Sequence, residues 1–182
     1  DDMKPALGVT EPGAIAFAVA KARSFTKGDI KKVNVAMNSG MYKNAFTCGI
    51  PNSNEVGNVF AAALGVVAGN ADKGLESLAD VTPEDNVKAQ EMIDQGKVTV
   101  ELSGITSRIF IEATVETEED KAIVTIRDSH TNITKIIVND KVELETEDEK
   151  KTEEDGGEEE SHSIHKYTLQ QLYNYVTTID IE

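Results

Sequence analysis

The chain has 182 residues, 39% hydrophobic and 28% charged, which is enough apolar material for one packed domain with a small appendage. Aromatics make up 5% and Trp is absent, so the core must be built from Ala, Val, Ile and Leu. The net charge of -15, with eleven acidic residues against two lysines between 143 and 160, repels nucleic-acid phosphate and anionic lipid and excludes both as partners.

In chain order, the amino terminus Asp1-Asp2-Met3-Lys4-Pro5 lacks the basic-then-apolar pattern of a secretory signal. The first element is signalled by Thr10-Glu11-Pro12. Thr10 suits an N-cap, Pro12 the first turn, and Glu11 the positive helix end. An Ala-rich helix is predicted over 14–25. Residues 31–38 (KKVNVAMN) alternate and predict a strand. Ser39 to Asn44 reads as irregular, and Gly49 and Pro51 force a turn. Residues 58–67 (NVFAAALGVV) are apolar almost all round and predict a buried helix, followed by a short one over 74–80. Thr82-Pro83-Glu84-Asp85 opens another helix, which Gly96 ends.

After Gly96 the pattern becomes β-rich, with runs at 97–102, 108–115, 122–127 and 133–138. Short turns between them predict a small antiparallel sheet beside a helical first half. The expected class is therefore α+β: a helical part over 1–96 with a short strand, and a four-stranded antiparallel subdomain over 97–142. An acidic flexible linker over 143–166 follows. Residues 167–182 begin a last amphipathic helix from Thr168, and its abrupt end reads as a piece of a longer protein. No apolar run approaches the ~20 residues of a membrane-spanning helix. One Cys excludes an internal disulfide framework and a Cys-only metal site, so a reducing cytoplasm is the expected compartment.

Two segments hold polar residues next to apolar helices. Gly8 to Gly13 is a tight turn whose free amides either cap a helix or receive a carboxylate. Asn38-Ser39-Gly40 with Lys43-Asn44 and Gly49-Ile50-Pro51 surrounds a lysine that is either a solvated loop residue, a carboxylate ligand, or a desolvated base. His130, in Asp128-Ser129-His130-Thr131-Asn132, is either a turn residue or a hydrogen-bonding group of a site. His162 and His165 flank the acidic run without ligand spacing, and Cys48 reads as a small hydrophobe. Phosphate-loop, dinucleotide, serine-elbow and paired-histidine motifs are missing.

These segments carry a resemblance. Met3 to Ala16, with Pro5-Ala6-Leu7-Gly8-Val9-Thr10-Glu11-Pro12, is similar to the P-A-L-G-C-T-E-P-x-A-x-A stretch of L-cysteine desulfidases, relatives of the iron–sulfur L-serine dehydratase alpha chain. Lys43-Asn44 with Gly49-Ile50-Pro51 resembles K-N-x-x-x-x-G-I-P-G, Ala61 to Gly65 and Gly74 to Leu78 match the helices that follow, and His130-Thr131-Asn132-Ile133 resembles an H-T-N-I/L turn. The resemblance runs through the chain in order and corresponds to about the first half of a family member.

It implies a lyase that eliminates sulfide, or water, from a small L-amino acid to give pyruvate and ammonia. It also implies a [4Fe–4S] cluster on three cysteines, with one iron open as a Lewis acid. Lys43 and His130 are then the expected catalytic residues, and Thr10, Glu11, Ser39 and Asn44 the expected substrate ligands, facing one cleft. The family's cysteine in G-C-T-E-P is Val9 here, and Asn52 stands where a glycine follows Ile50-Pro51. With Val9 at the ligand position, this chain alone is expected to carry neither cluster nor activity. The missing carboxy-terminal half would form the opposite wall, and its absence would favour self-association. The alternative implied by Val9 is a non-catalytic relative that binds a small amino acid or serves a structural role.

Overall fold

The structure is a computed structural model and describes residues 6–105, 107–146 and 168–178. These fall into two units, one holding the described residues up to 146 and the other residues 168–178.

The first unit opens with α1, Thr10–Arg23, in which every residue from Pro12 to Ala20 is buried. A helix apolar on all sides needs neighbours on all sides. α1 packs on the sheet beside the helix α3 (Asn58–Ala68), and a 3-10 turn, Ala71–Glu76, covers it further. The helix starts at Thr10 rather than 14, so Thr10 is its first residue and Val9, with no side-chain bond, takes the N-cap position.

Strand β1, Ile30–Met37, buries Val33, Val35 and Met37 on alternate positions, as its pattern requires. The helix α2, Ser39–Ala45, occupies the stretch expected to be irregular, because Met41 and Ala45, one turn apart, anchor it in the core. The short helix expected over 74–80 is instead the 3-10 turn at Ala71–Glu76, broken at Gly74. α4, Pro83–Asp94, follows its capping box, with Thr82 and Asp85 bonded reciprocally.

Strands β2 (Val98–Leu102), β3 (Phe110–Thr117), β4 (Lys121–Arg127), β5 (Ile133–Val138) and β6 (Lys141–Glu145) complete the α+β unit. All six strands form one sheet in the order β2-β1-β3-β4-β5-β6. β1 pairs with β2 in parallel and with β3 antiparallel. The expected separate four-stranded antiparallel subdomain is thus a six-stranded mixed sheet. Its helical half donates a central strand, and one face buries Val33, Val35, Ala113, Val115, Val124 and Ile126 under α1 and α3.

β6 takes Glu143 and Glu145 out of the expected acidic linker. Asn139 and Asp140, both at positive φ, make the two-residue turn that leads into it. The rest of the linker, from 147, lies outside the described residues. In the second unit, α5 (Leu169–Thr178) opens with a Thr168–Gln171 capping box. Among the described residues no helix is long and apolar enough to cross a membrane.

Candidate functional site

Three segments far apart in the chain meet at the amino end of α1. The β4–β5 turn is held by Arg127 and Asn132: the Arg127 amide donates to the Asn132 carbonyl at 3.1 Å, and Asn132 Nδ2 returns to the Arg127 carbonyl at 3.1 Å. Asp128, at φ 65°, bends the chain and donates its amide to Ile109. The turn presents His130, half-buried, so that its Nε2 lies 3.5 Å from Thr10 Oγ1, across 120 residues of sequence. That distance is at the outer limit of a hydrogen bond. From the other side, α2 presents Asn44, whose Nδ2 donates to Glu11 Oε1 at 3.2 Å.

The direction of these bonds follows from proton counting. The Thr10 hydroxyl donates its one proton to Glu11 Oε2 at 3.2 Å. Toward His130 it can therefore only accept, so the contact is a hydrogen bond in the tautomer that carries its proton on Nε2, which in the neutral ring leaves the lone pair on Nδ1. Nδ1 has no partner among the described residues. The arrangement is a relay, His130 to Thr10 to Glu11, with Asn44 fixing the other carboxylate oxygen.

Of the residues singled out in the sequence, the structure brings Thr10, Glu11, Asn44 and His130 into contact. Lys43 and Ser39 are exposed on α2, and neither is bonded to these four. Asn38, in the same polar stretch, is buried and fully occupied: its Nδ2 donates to the carbonyls of Ser107 and Arg108, and its Oδ1 accepts from the Phe110 amide. Its work is to join the end of β1 to the start of β3. The amino end of α1 is also a poorer anion site than its sequence suggests. Glu11 puts a negative charge in its first turn, and Pro12 has no amide proton to offer.

The residues present do not fit a [4Fe–4S] cluster. Val9, 48% exposed just before Thr10, has a hydrocarbon side chain with no electron pair for iron. The thiol of Cys48, the chain's one cysteine, donates to the Asn44 carbonyl at 2.7 Å. Among the described residues no three or more His, Cys, Asp or Glu side chains are grouped to hold a metal ion.

Comparison with known proteins gives relatives along the whole chain. A UPF0597 protein of Clostridium botulinum (strain Hall) is 35% identical over 183 aligned residues, covering 100% of this chain and 42% of the relative. A second UPF0597 protein of the same strain is 37% identical over 151 residues, covering 83% of this chain and 35% of the relative. One from strain Loch Maree is 35% identical over 182 residues, covering 100% of this chain and 41% of the relative. No family profile and no solved structure matches the chain. Over its full length the chain is therefore related to the UPF0597 proteins, and it spans about two fifths of the length of those it matches end to end.

Proposed function

We propose that this chain carries the amino-acid-binding and proton-abstracting part of a lyase that eliminates sulfide or water from a small L-amino acid, giving pyruvate and ammonia. The observation that carries the reading is the Thr10–Glu11–Asn44–His130 network. Three of the short stretches resembling cysteine desulfidases contribute to it, though they are scattered along the sequence.

In this reading His130 Nδ1 takes the α-proton of the substrate. The Thr10 hydroxyl holds Nε2–H so that the lone pair faces the substrate, and Glu11 offsets the positive charge that the ring acquires. Glu11 is also the anionic group to which the substrate ammonium is drawn. Lys43, exposed beside Asn44, adds a positive charge near the substrate carboxylate, and Ser39 lies on the same short helix.

Val9 favours a second reading, in which the chain belongs to a relative that binds a small amino acid without turning it over. Anaerobic assay of pyruvate and sulfide release from L-cysteine, and of pyruvate from L-serine, separates the two. It is run on a protein of the relatives' full length that contains this segment. The lyase reading expects His130→Asn to lower kcat by about a hundredfold or more, as loss of a general base does, with KM little changed. It also expects Glu11→Gln to raise KM. Binding without turnover supports the second reading, and unaltered turnover in His130→Asn overturns the role given to His130.

A further inference from the structure

α1 and α3 run in the same direction. A Cβ on Gly65 would lie 2.7 Å from the Ala16 carbonyl oxygen, and one on Gly69 would lie 2.8 Å from Ala20 Cβ, so four residues along one helix match four along the other. Both amino ends therefore lie at the same end of the pair. A chain of bonds makes the same link. The Gly57 amide donates to the Cys48 carbonyl at 3.0 Å, the Cys48 thiol to the Asn44 carbonyl, and Asn44 Nδ2 to Glu11.

The two helix ends differ in charge. α3 has no acidic residue in its first turn, whereas α1 has Glu11. The Val59 amide is taken by Asn58 Oδ1 at 2.9 Å and the Ala61 amide by the Gly57 carbonyl at 3.1 Å, which leaves the Asn58 and Phe60 amides as the free donors of this end. Asn58 stands seven residues before Gly65, on the same face of α3, and so lies on the side of α3 that faces α1, toward the shared amino end of the pair. It is 3% exposed, and its Nδ2 has no hydrogen-bond partner among the described residues. A buried amide donor without an acceptor is costly, and here it sits at the positive end of a helix beside the network described above.

We propose that Asn58 and the amino end of α3 bind the carboxylate of the amino-acid substrate, with Glu11 receiving its ammonium group. The inference rests on the reading of this site as an amino-acid site and divides the ligand between its two helix ends.

The test is a titration of the 182-residue chain followed by amide proton–nitrogen NMR, with three probes: L-serine, pyruvate (carboxylate without ammonium) and ethanolamine (ammonium without carboxylate). L-serine is expected to shift both the Asn58 side-chain amide and the Glu11 backbone amide, pyruvate the Asn58 amide alone, and ethanolamine the Glu11 region alone. The near-isosteric Asn58→Asp should weaken L-serine and pyruvate by about tenfold or more and leave ethanolamine unchanged, because one charge-assisted hydrogen bond becomes a repulsion. If that variant fails to fold, the resonances of the unsubstituted chain decide. Shifts at Thr10, Glu11 and His130 with Asn58 unmoved overturn the assignment of Asn58 and leave the amino-acid reading standing. No shift at any of these residues with any probe overturns both.

Discussion

Asn52 holds its backbone at φ 59°, in the left-handed region that glycine enters freely, and the family stretch it resembles has glycine there. Its side chain gives a reason for asparagine: Nδ2 donates to the carbonyls of Leu78 and Ala79 at 2.9 and 3.1 Å, tying the loop after Pro51 to the chain beyond the 3-10 turn. Asn52→Gly relieves roughly 1 kcal/mol of backbone strain but forfeits two hydrogen bonds worth about 1 kcal/mol each, so a net loss of about 1 kcal/mol is expected. Asn52→Ala keeps the strain and loses the bonds, and should cost about 2 kcal/mol. Urea unfolding of the three proteins checks the order, and a more stable glycine variant would show that the two bonds contribute nothing. At this scale much of the site is legible in the sequence. Thr10, Glu11, Asn44 and His130 stand out as polar residues in turns beside apolar helices. Asn58 does not, because it reads as the first residue of an apolar run, and no linear pattern reveals that its Nδ2 lacks an acceptor.

Helices and strands were legible where their own side chains dictate them and obscure where tertiary contacts decide. The alternation of β1 and the capping box of α4 are written locally. Ser39-Gly40 looks like a turn, and only the burial of Met41 and Ala45 makes that stretch a helix. The contact of α3 with α1 is equally non-local, and it yields a prediction. Gly65→Ala gains about 1 kcal/mol of helix propensity. The new Cβ, however, meets the Ala16 carbonyl oxygen at 2.7 Å and Ala16 Cα at 2.8 Å, backbone atoms that cannot rotate away. Overpacking of a core contact costs about 1–3 kcal/mol before any loss of neighbouring contacts, so destabilisation should win. A thermal melt at or above that of the original chain would refute it. The cap of α4 gives a pH-dependent case. The Asp85 carboxyl is held below its ordinary range first by its hydrogen bonds with the Thr82 hydroxyl and amide, with a smaller contribution from Lys88. A depressed carboxyl adds stability above its unfolded pKa and loses it as pH falls through the lower native one. Thr82→Ala should therefore cost about 1 kcal/mol near pH 7. The gap from the original chain should narrow as the pH falls from about 4, the unfolded value, through the lower native pKa of Asp85. A pH-independent gap would mean that the ionised carboxylate does not matter.

The largest departure from the sequence reading lies in the whole molecule, in the place of β1. A strand's own pattern tells which of its faces is buried and says nothing of its neighbours. Four β-rich runs joined by short turns therefore suggest a self-sufficient antiparallel subdomain. Instead β1 separates β2 from β3, so β2 has no other strand to pair with, and the buried face of β3 and β4 is covered by α1 from the other half of the chain. Residues 97–146 expressed alone would have an unpaired β2 and a bare apolar face along Ile111, Ala113, Val115, Val124 and Ile126. A segment that short buries too small a share of its surface to make good those losses, since domains below about 60 residues are already marginal with their cores intact. The expectation is narrow amide dispersion and no cooperative unfolding for 97–146 alone. Native-like dispersion should appear when residues 6–96 are added, because these supply β1, α1 and α3 together. Independent, cooperative folding of 97–146 would show instead that β1 is an accessory to a sheet already complete. The same dependence explains how the site is assembled: His130 sits on a turn of the sheet and Thr10 on a helix, and their 3.5 Å approach exists only while β1 holds the two halves of the chain in one structure.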